Sequence, residues 1–291
     1  MMDERLKKPL IALLIPVLVI PAIVILIIAA KVLLLGRDDQ IPESQALAKL
    51  ASPRVASVLK SQGPVAVAVR PVMASDSFGS LFVGWGGNIV EARSRQALLS
   101  AQDPLLTSFA ATPEGLIVTV RGDRLGFVSG GEVKDTVALP SSELRLEKVS
   151  DDRLCLFGPV VSTRTWAVYL LSRGGAYSKL FTFPLEIGAV TGADGGIFFA
   201  AAGGVYRVEF GKRVAPVLYL PGKPAIVSLA YDVQRRALFL ATQDAVYVYL
   251  EGRLVKLLDK VSGTLAWRHD GLYILSEARQ ELLKVDNIFK T

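Results

Sequence analysis

This chain of 291 residues holds one cysteine, one histidine, two asparagines and three tryptophans. With Cys155 alone, an internal disulfide framework is excluded, and so is a lipid-modified cysteine near the N-terminus. Neither Asn88, in "NIV", nor Asn287, in "NIF", heads a glycosylation sequon, which suits a bacterial or archaeal exterior. Charge is not concentrated either. The 33 basic and 27 acidic residues give a formal +6, but the basic ones stand singly, without a clustered stripe or interleaved aromatics. A nucleic-acid surface needs such a stripe, so no nucleic-acid partner is expected.

One long apolar run is present. "PLIALLIPVLVIPAIVILIIAA", Pro9 to Ala30, is 22 residues without a charge or a side-chain amide. At about 1.5 Å rise per residue, a helix of this length matches a hydrocarbon core of about 30 Å. Pro16 and Pro21 are tolerated in such a span, where freed carbonyls find local partners. A cleaved signal peptide has a shorter apolar region, about 7–15 residues, ending at a small-x-small site. Here "IIAAKVLLLG" continues apolar past the candidate site, with Ile28 at the −3 position, so an uncleaved anchor is expected. Arg5, Lys7 and Lys8 precede the span, whereas Lys31 and Arg37 are followed by Asp38, Asp39 and Glu43. That bias places the N-terminus in the cytoplasm and the large domain outside a prokaryotic cytoplasmic membrane. The expected organisation is a cytoplasmic N-terminus (1–8), a transmembrane helix in the bilayer (9–35), a linker with a possible closing strand (36–63), and one domain (64–291). The linker reads as partly helical around Ala46–Leu50.

Beyond it, short runs rich in Val, Leu, Ile, Phe and Tyr alternate with polar or Gly turns, and no amphipathic helix interrupts them. One strand recurs after an acidic or Gly-bearing turn: "SDSFGSLFVGW", "TPEGLIVTV", "SDDRLCLFG", "GADGGIFFAA", "YDVQRRALFLAT" and "RHDGLYILS". It starts at Leu81, Leu116, Leu154, Ile197, Leu238 and Leu272, with spacings of 35, 38, 43, 41 and 34. A weaker run precedes it and a third follows; the middle copies add a fourth, such as "YSKLFTFP" and "RVAPVLYLP". Four short antiparallel strands per repeat of about 40 residues is the pattern of a β-propeller blade.

The repeat settles the role of the lone histidine. His269 and Asp270 sit in "RHDG", the same turn as "TPEG", "SDDR" and "GADG", where an acidic residue and Gly favour a tight exposed bend. No serine or cysteine nucleophile can be placed beside them, so His269 reads as turn punctuation. The last copy stops after its third strand, at "VDNIFKT", and "PRVASVLK", Pro53 to Lys60, is the segment available to close the ring.

These copies, over residues 64–290, resemble the six-bladed β-propeller superfamily, of NHL-like or strictosidine-synthase-like architecture, with an N-terminal membrane segment. The resemblance implies an all-β fold of six four-stranded antiparallel blades preceded by one transmembrane helix. Lactonase-type members of that superfamily hold a divalent cation with carboxylates and Asn side chains on the central channel. Here Asn88 and Asn287 fall in third strands, away from a channel, and Glu147 and Glu186 are the best acidic candidates on inner strands. The GH and WD dipeptides of WD40 blades do not occur. An Asp-box survives only as Ser75, Ser77 and Gly79, and Trp85, Trp166 and Trp267 occupy three different strand types, unlike the recurrent Trp motifs of quinone propellers. The Gly-rich spots "GWGGN", "SGGE", "RGGA" and "AAGGV" join strands and open no helix, so they are hairpin turns and not phosphate cradles. Inner strands bearing mostly Ala, Ser, Thr and Val predict a narrow channel. No catalytic, cofactor-binding or metal-binding residue is assigned. The expected function is a non-enzymatic scaffold subunit that presents propeller loops to other envelope or membrane proteins. The alternatives are a hydrolase or lactonase, and a receptor for a small extracellular ligand.

Overall fold

The computed structural model describes residues 49–60, 72–75, 80–85, 88–99, 106–112, 117–129, 131–150, 153–172, 175–211 and 213–290. The expected transmembrane span lies outside them. Among the described residues no helix is long and apolar enough to cross a membrane. Lys49–Thr291 forms one compact unit.

Within that unit the strands form six four-stranded antiparallel sheets. After β1 (Arg54–Lys60), blade I is β2 (Val72–Ser75), β3 (Leu81–Trp85), β4 (Asn88–Glu91) and β5 (Ala97–Leu99). Blade II is β6 (Leu106–Ala111), β7 (Ile117–Arg121), β8 (Arg124–Ser129) and β9 (Glu132–Ala138). Blade III is β10 (Arg145–Ser150), β11 (Arg153–Val160), β12 (Thr165–Leu171) and β13 (Tyr177–Phe183). Blade IV is β14 (Ile187–Ala193), β15 (Gly196–Ala201), β16 (Gly204–Glu209) and β17 (Val214–Tyr219). Blade V is β18 (Ser228–Asp232), β19 (Ala237–Ala241), β20 (Ala245–Leu250) and β21 (Arg253–Asp259). Blade VI is β22 (Thr264–Arg268), β23 (Gly271–Ser276) and β24 (Glu281–Asp286), completed on its outer side by β1. The first strands touch in a closed cycle, β2–β6–β10–β14–β18–β22 and back to β2. The chain is an all-β six-bladed propeller.

Burial explains the residue pattern of each strand type. Second strands are covered on both faces by neighbouring blades, so "GIFFAA", "ALFLA" and "GLYILS" are buried at every position. Outer strands have water on one side, and β17 mixes half-buried with exposed residues and has none fully buried. The core consists of six apolar clusters among the described residues, one between each pair of adjacent blades. Between blades V and VI, Phe239 stacks on Trp267 at 5.0 Å, with Phe289 edge-on to both. Inner strands are also tied by buried serines. Ser108 Oγ accepts the Leu146 N–H at 2.8 Å, and Ser228 Oγ accepts the Leu265 N–H at 2.9 Å. Each bond links one blade's first strand to that of the next.

Two glycines are dictated by local geometry. A Cβ on Gly192 would sit 1.8 Å from the carbonyl oxygen of Val149, so only glycine lets β14 approach β10. In the β15–β16 turn, Ala202 (φ 49°) and Gly203 (φ 72°) are both left-handed, as a two-residue hairpin bend requires.

The last blade's edge is covered by β1, which runs antiparallel to β24 from Arg54↔Asp286 to Lys60↔Glu281. Leu50 bridges Phe289, Asn287 Nδ2 donates to Ser52 O, and Lys49 pairs with Glu251. Leu50 is therefore in an extended bridge and not in the helix expected around it, because pairing with the C-terminal tail outweighs local helix propensity. Blade I has a short fourth strand that the sequence reading did not place, and its first strand is centred on "VMAS".

Candidate functional site

In a four-stranded antiparallel blade, the turn between first and second strands and the turn between third and fourth emerge on the same face. On that face the central channel opens into a cavity of about 550 Å³. First strands of all six blades line it. At the rim stand Ser75, Ser150, Asp194, Val233, Arg268 and His269; deeper lie Phe109, Glu147, Thr191, Leu229 and Leu265. The inner-strand composition predicted a narrow channel of small side chains. The mouth also carries charge and aromatic surface, because Lys148, Tyr231, Trp267 and Arg268 all occur in the second half of their strands, toward this face.

His269 and Asp270 form the turn between β22 and β23, and both are exposed. The turn assignment holds, yet the turn also edges the cavity. Asp270 accepts the Tyr273 hydroxyl at 2.8 Å and lies 3.2 Å from Lys284 Nζ and 3.5 Å from Arg268 Nε. Burial works to raise its pKa, but hydrogen bonds from Tyr273 and Lys284, with the charges of Arg268 and Lys284, outweigh it and hold the carboxyl below its ordinary value. Lys284 also reaches Asp286 at 3.1 Å; burial opposes its charge, but the two carboxylates prevail and raise its pKa. Arg268 lies over the Tyr273 ring at 5.4 Å. The rim charges of blade VI thus balance one another, although Arg268 Nε makes no hydrogen bond among the described residues.

Glu147 differs. It lies on β10, three residues in from Ser150, cross-strand from the buried thiol of Cys155. Among the described residues no lysine, arginine or histidine forms an ion pair with it, and its carboxyl takes a hydrogen bond from the Lys148 backbone. Burial pushes its pKa up to about 8, against that bond. Burial also raises the Cys155 thiol, with the Glu147 charge adding to it.

The other candidates are dispersed. Glu186 is exposed in the connection leading into β14 and is not on an inner strand, because the strand begins one residue later. Asn88 opens β4, and Asn287 follows β24 in left-handed conformation. Trp166 packs half-buried in the cluster between blades III and IV. No group of three or more His, Cys, Asp or Glu side chains gathers among the described residues. Sequence reasoning named Glu147 but missed Tyr231, Trp267 and Arg268 as cavity residues; their position at the ends of first strands was the available signal.

No protein-family model matches the sequence, and no curated protein matches it. Solved structures do. A gluconolactonase from Xanthomonas campestris superposes with a TM-score of 0.62 at 14% identity, over 84% of this chain and 93% of its own. A putative TolB from Agrobacterium tumefaciens gives 0.57 at 10% identity, over 84% and 99%. The extracellular domain of a putative one-component system from B. thetaiotaomicron gives 0.51 at 12%, over 77% of this chain and 34% of that one. At such identities the likeness is one of fold, and one fold hosts many functions. The chain has the six-bladed β-propeller architecture, with a gluconolactonase and a putative gluconolactonase among its structural neighbours.

Proposed function

We propose that this chain is a binding module: a propeller held by residues 9–35 in a prokaryotic cytoplasmic membrane, outside the cell interior, receiving a partner protein of an envelope complex at its channel mouth. The observation that carries this reading is the cavity itself. It is open, about 550 Å³, and joins aromatic and polar side chains from all six blades, the usual make-up of a recognition pocket. Its rim charges on blade VI are neutralised internally and are not aimed at a reacting atom. The test is a pull-down of the full chain from mild detergent extract. A stoichiometric partner released by Trp267→Ala or Tyr231→Ala supports the proposal. A partner indifferent to both variants overturns the channel mouth as the docking site.

A second reading has one observation in its favour. A carboxyl poised near pH 8 in a cavity is suited to general acid–base chemistry, so a hydrolase with Glu147 as the proton-transfer group is the rival. Turnover of a lactone or ester panel that is lost in Glu147→Gln would favour the enzyme.

A further inference from the structure

We infer that the channel mouth is a receptor for an alkylammonium group, with Glu147 as its counter-ion at the floor and Tyr231 and Trp267 along the walls. This rests on the binding-module reading and names the chemistry that the partner presents. At about 3.3 Å per residue, Glu147 lies roughly 10 Å along β10 from the rim residue Ser150. The lining includes the slim residues Ala110, Thr191, Gly192 and Ala230, which leave room for an unbranched alkyl chain. Tyr231 and Trp267 are half-buried, with Trp267 stacked on Phe239 and Tyr231 edge-on to Phe198, and the aromatic surface they leave to the cavity attracts a cation by its quadrupole.

Charge matching points the same way. The neighbouring cations are otherwise engaged. Arg145 Nη1 donates to Gly188 O at 3.4 Å, and the Arg268 charge is paired with Asp270 across 3.5 Å, without a hydrogen bond from Nε. Lys148, next to Glu147 on the strand, alternates to the opposite side and has its own partner. Facing Glu147 from β11 are Cys155 and, at the strand end, Arg153. From β14 no ionisable side chain faces it before Asp194 at the rim; from β6 the polar neighbour is Ser108; across the cavity are Tyr231, Arg268 and His269. A hard divalent ion needs several oxygen ligands, commonly two or more carboxylates. A primary ammonium is satisfied by one carboxylate and nearby hydroxyl or carbonyl oxygens. One ammonium placed here would also relieve the unfavourable burial of an ionised Glu147.

The ammonium has two sources, a lysine side chain on the partner or a free amine, and the experiment separates them. Calorimetric titration of the detergent-solubilised full chain uses Nα-acetyl-lysine methylamide, its Nε-acetylated form, cadaverine and calcium chloride. The expected result is binding of the lysine probe but not of its acetylated form. Its affinity should rise about tenfold per pH unit from pH 6 to 8 and then level off, since Glu147 must lose its proton to receive the cation. Glu147→Gln should lose at least tenfold at pH 8.5 and flatten the profile. Histidine as a residue type titrates in this range, so the profile is repeated in His269→Ala, where it should persist. A lysine probe tighter than cadaverine supports a partner side chain. Cadaverine tighter than the lysine probe keeps the ammonium site but overturns the partner as its source. Equal binding of the acetylated probe, calcium binding that displaces the amines, or no amine binding at pH 8.5 overturns the site. If the pull-down partner survives in a Glu147→Gln chain that binds no amine, the ammonium inference fails while the binding-module reading stands.

Discussion

Removing the closing strand tests the fold where it is most exposed. Deleting residues 53–60 strips β1 from β24 and leaves the outer edge of blade VI bare. Six residue pairs make up that ladder. At about one hydrogen bond per pair and roughly 0.5–1.5 kcal/mol net for each, the loss is on the order of 3–9 kcal/mol. β1 adds little apolar burial; only Leu59 packs inward, beside the cluster of Met73, Leu81, Val83 and Leu282. The lower half of the range is therefore the better figure, about 4 kcal/mol. A domain of this size shifts by roughly 2–4 °C per kcal/mol, so the melting temperature should fall by about 8–16 °C. Deleting residues 37–45 shortens the chain before Lys49 and should shift it by less than about 2 °C, because it breaks none of the pairs described here. Circular dichroism melts of the two detergent-solubilised deletions make the comparison. Equal and small shifts in both would mean that the last blade is stable with three strands, and the reasoning from edge hydrogen bonds would be wrong.

The half-buried Glu147 carboxyl makes stability depend on pH. Glu147 titrates near 4.5 when unfolded and about 8 when folded, so between those values the unfolded chain has lost a proton that the native chain keeps. Stability should therefore fall as pH rises from about 4.5 to 8 and level above, by on the order of 2 kcal/mol after allowance for cavity water; in Glu147→Gln urea melts should lose that component. Gly192→Ala should cost about 1–3 kcal/mol, since its Cβ meets the Val149 carbonyl, and a neutral urea midpoint would contradict the close β10–β14 approach. His269→Ala should change stability by no more than about 0.5 kcal/mol, as for an exposed turn residue, and a larger shift in the melt would give the imidazole a structural role. N-terminal sequencing of membrane-extracted protein should find the run before Lys31 still attached; a start at Lys31 would refute the anchor.

The blades were legible because their signal is repetition. Second strands buried on both faces read as unbroken apolar runs, and the six expected starts fall within one residue of β3, β7, β11, β15, β19 and β23. Less could be read where tertiary pairing decides conformation. Leu50 looked helical from its neighbours, and only Phe289, far along the chain, makes it extended. The three-residue β5 is too short to carry a pattern. The mouth was misjudged for a related reason. Averaging over each inner strand hides the fact that Tyr231, Trp267 and Arg268 stand at strand ends, and convergence of six separate ends on one opening is not a property of any local window. Glu147 was visible as an inner-strand acid, but its lack of a cation partner among the described residues is a fact of three dimensions.

The β1–β24 pairing also imposes a timetable. The strand at Arg54 waits for Asp286, more than two hundred residues later, and at about 5–20 residues per second of synthesis that wait is roughly 10–45 s. Until then β1, the first strand among the described residues, has no partner, and blades I to V accumulate beside the gap that blade VI will fill. Contacts of such long range form slowly. The unfinished ring is thus the state most exposed to misassembly, including capture of its Arg54–Lys60 strand by the finished β24 of a neighbouring copy, and whatever guards this chain during synthesis has to guard that one strand longest.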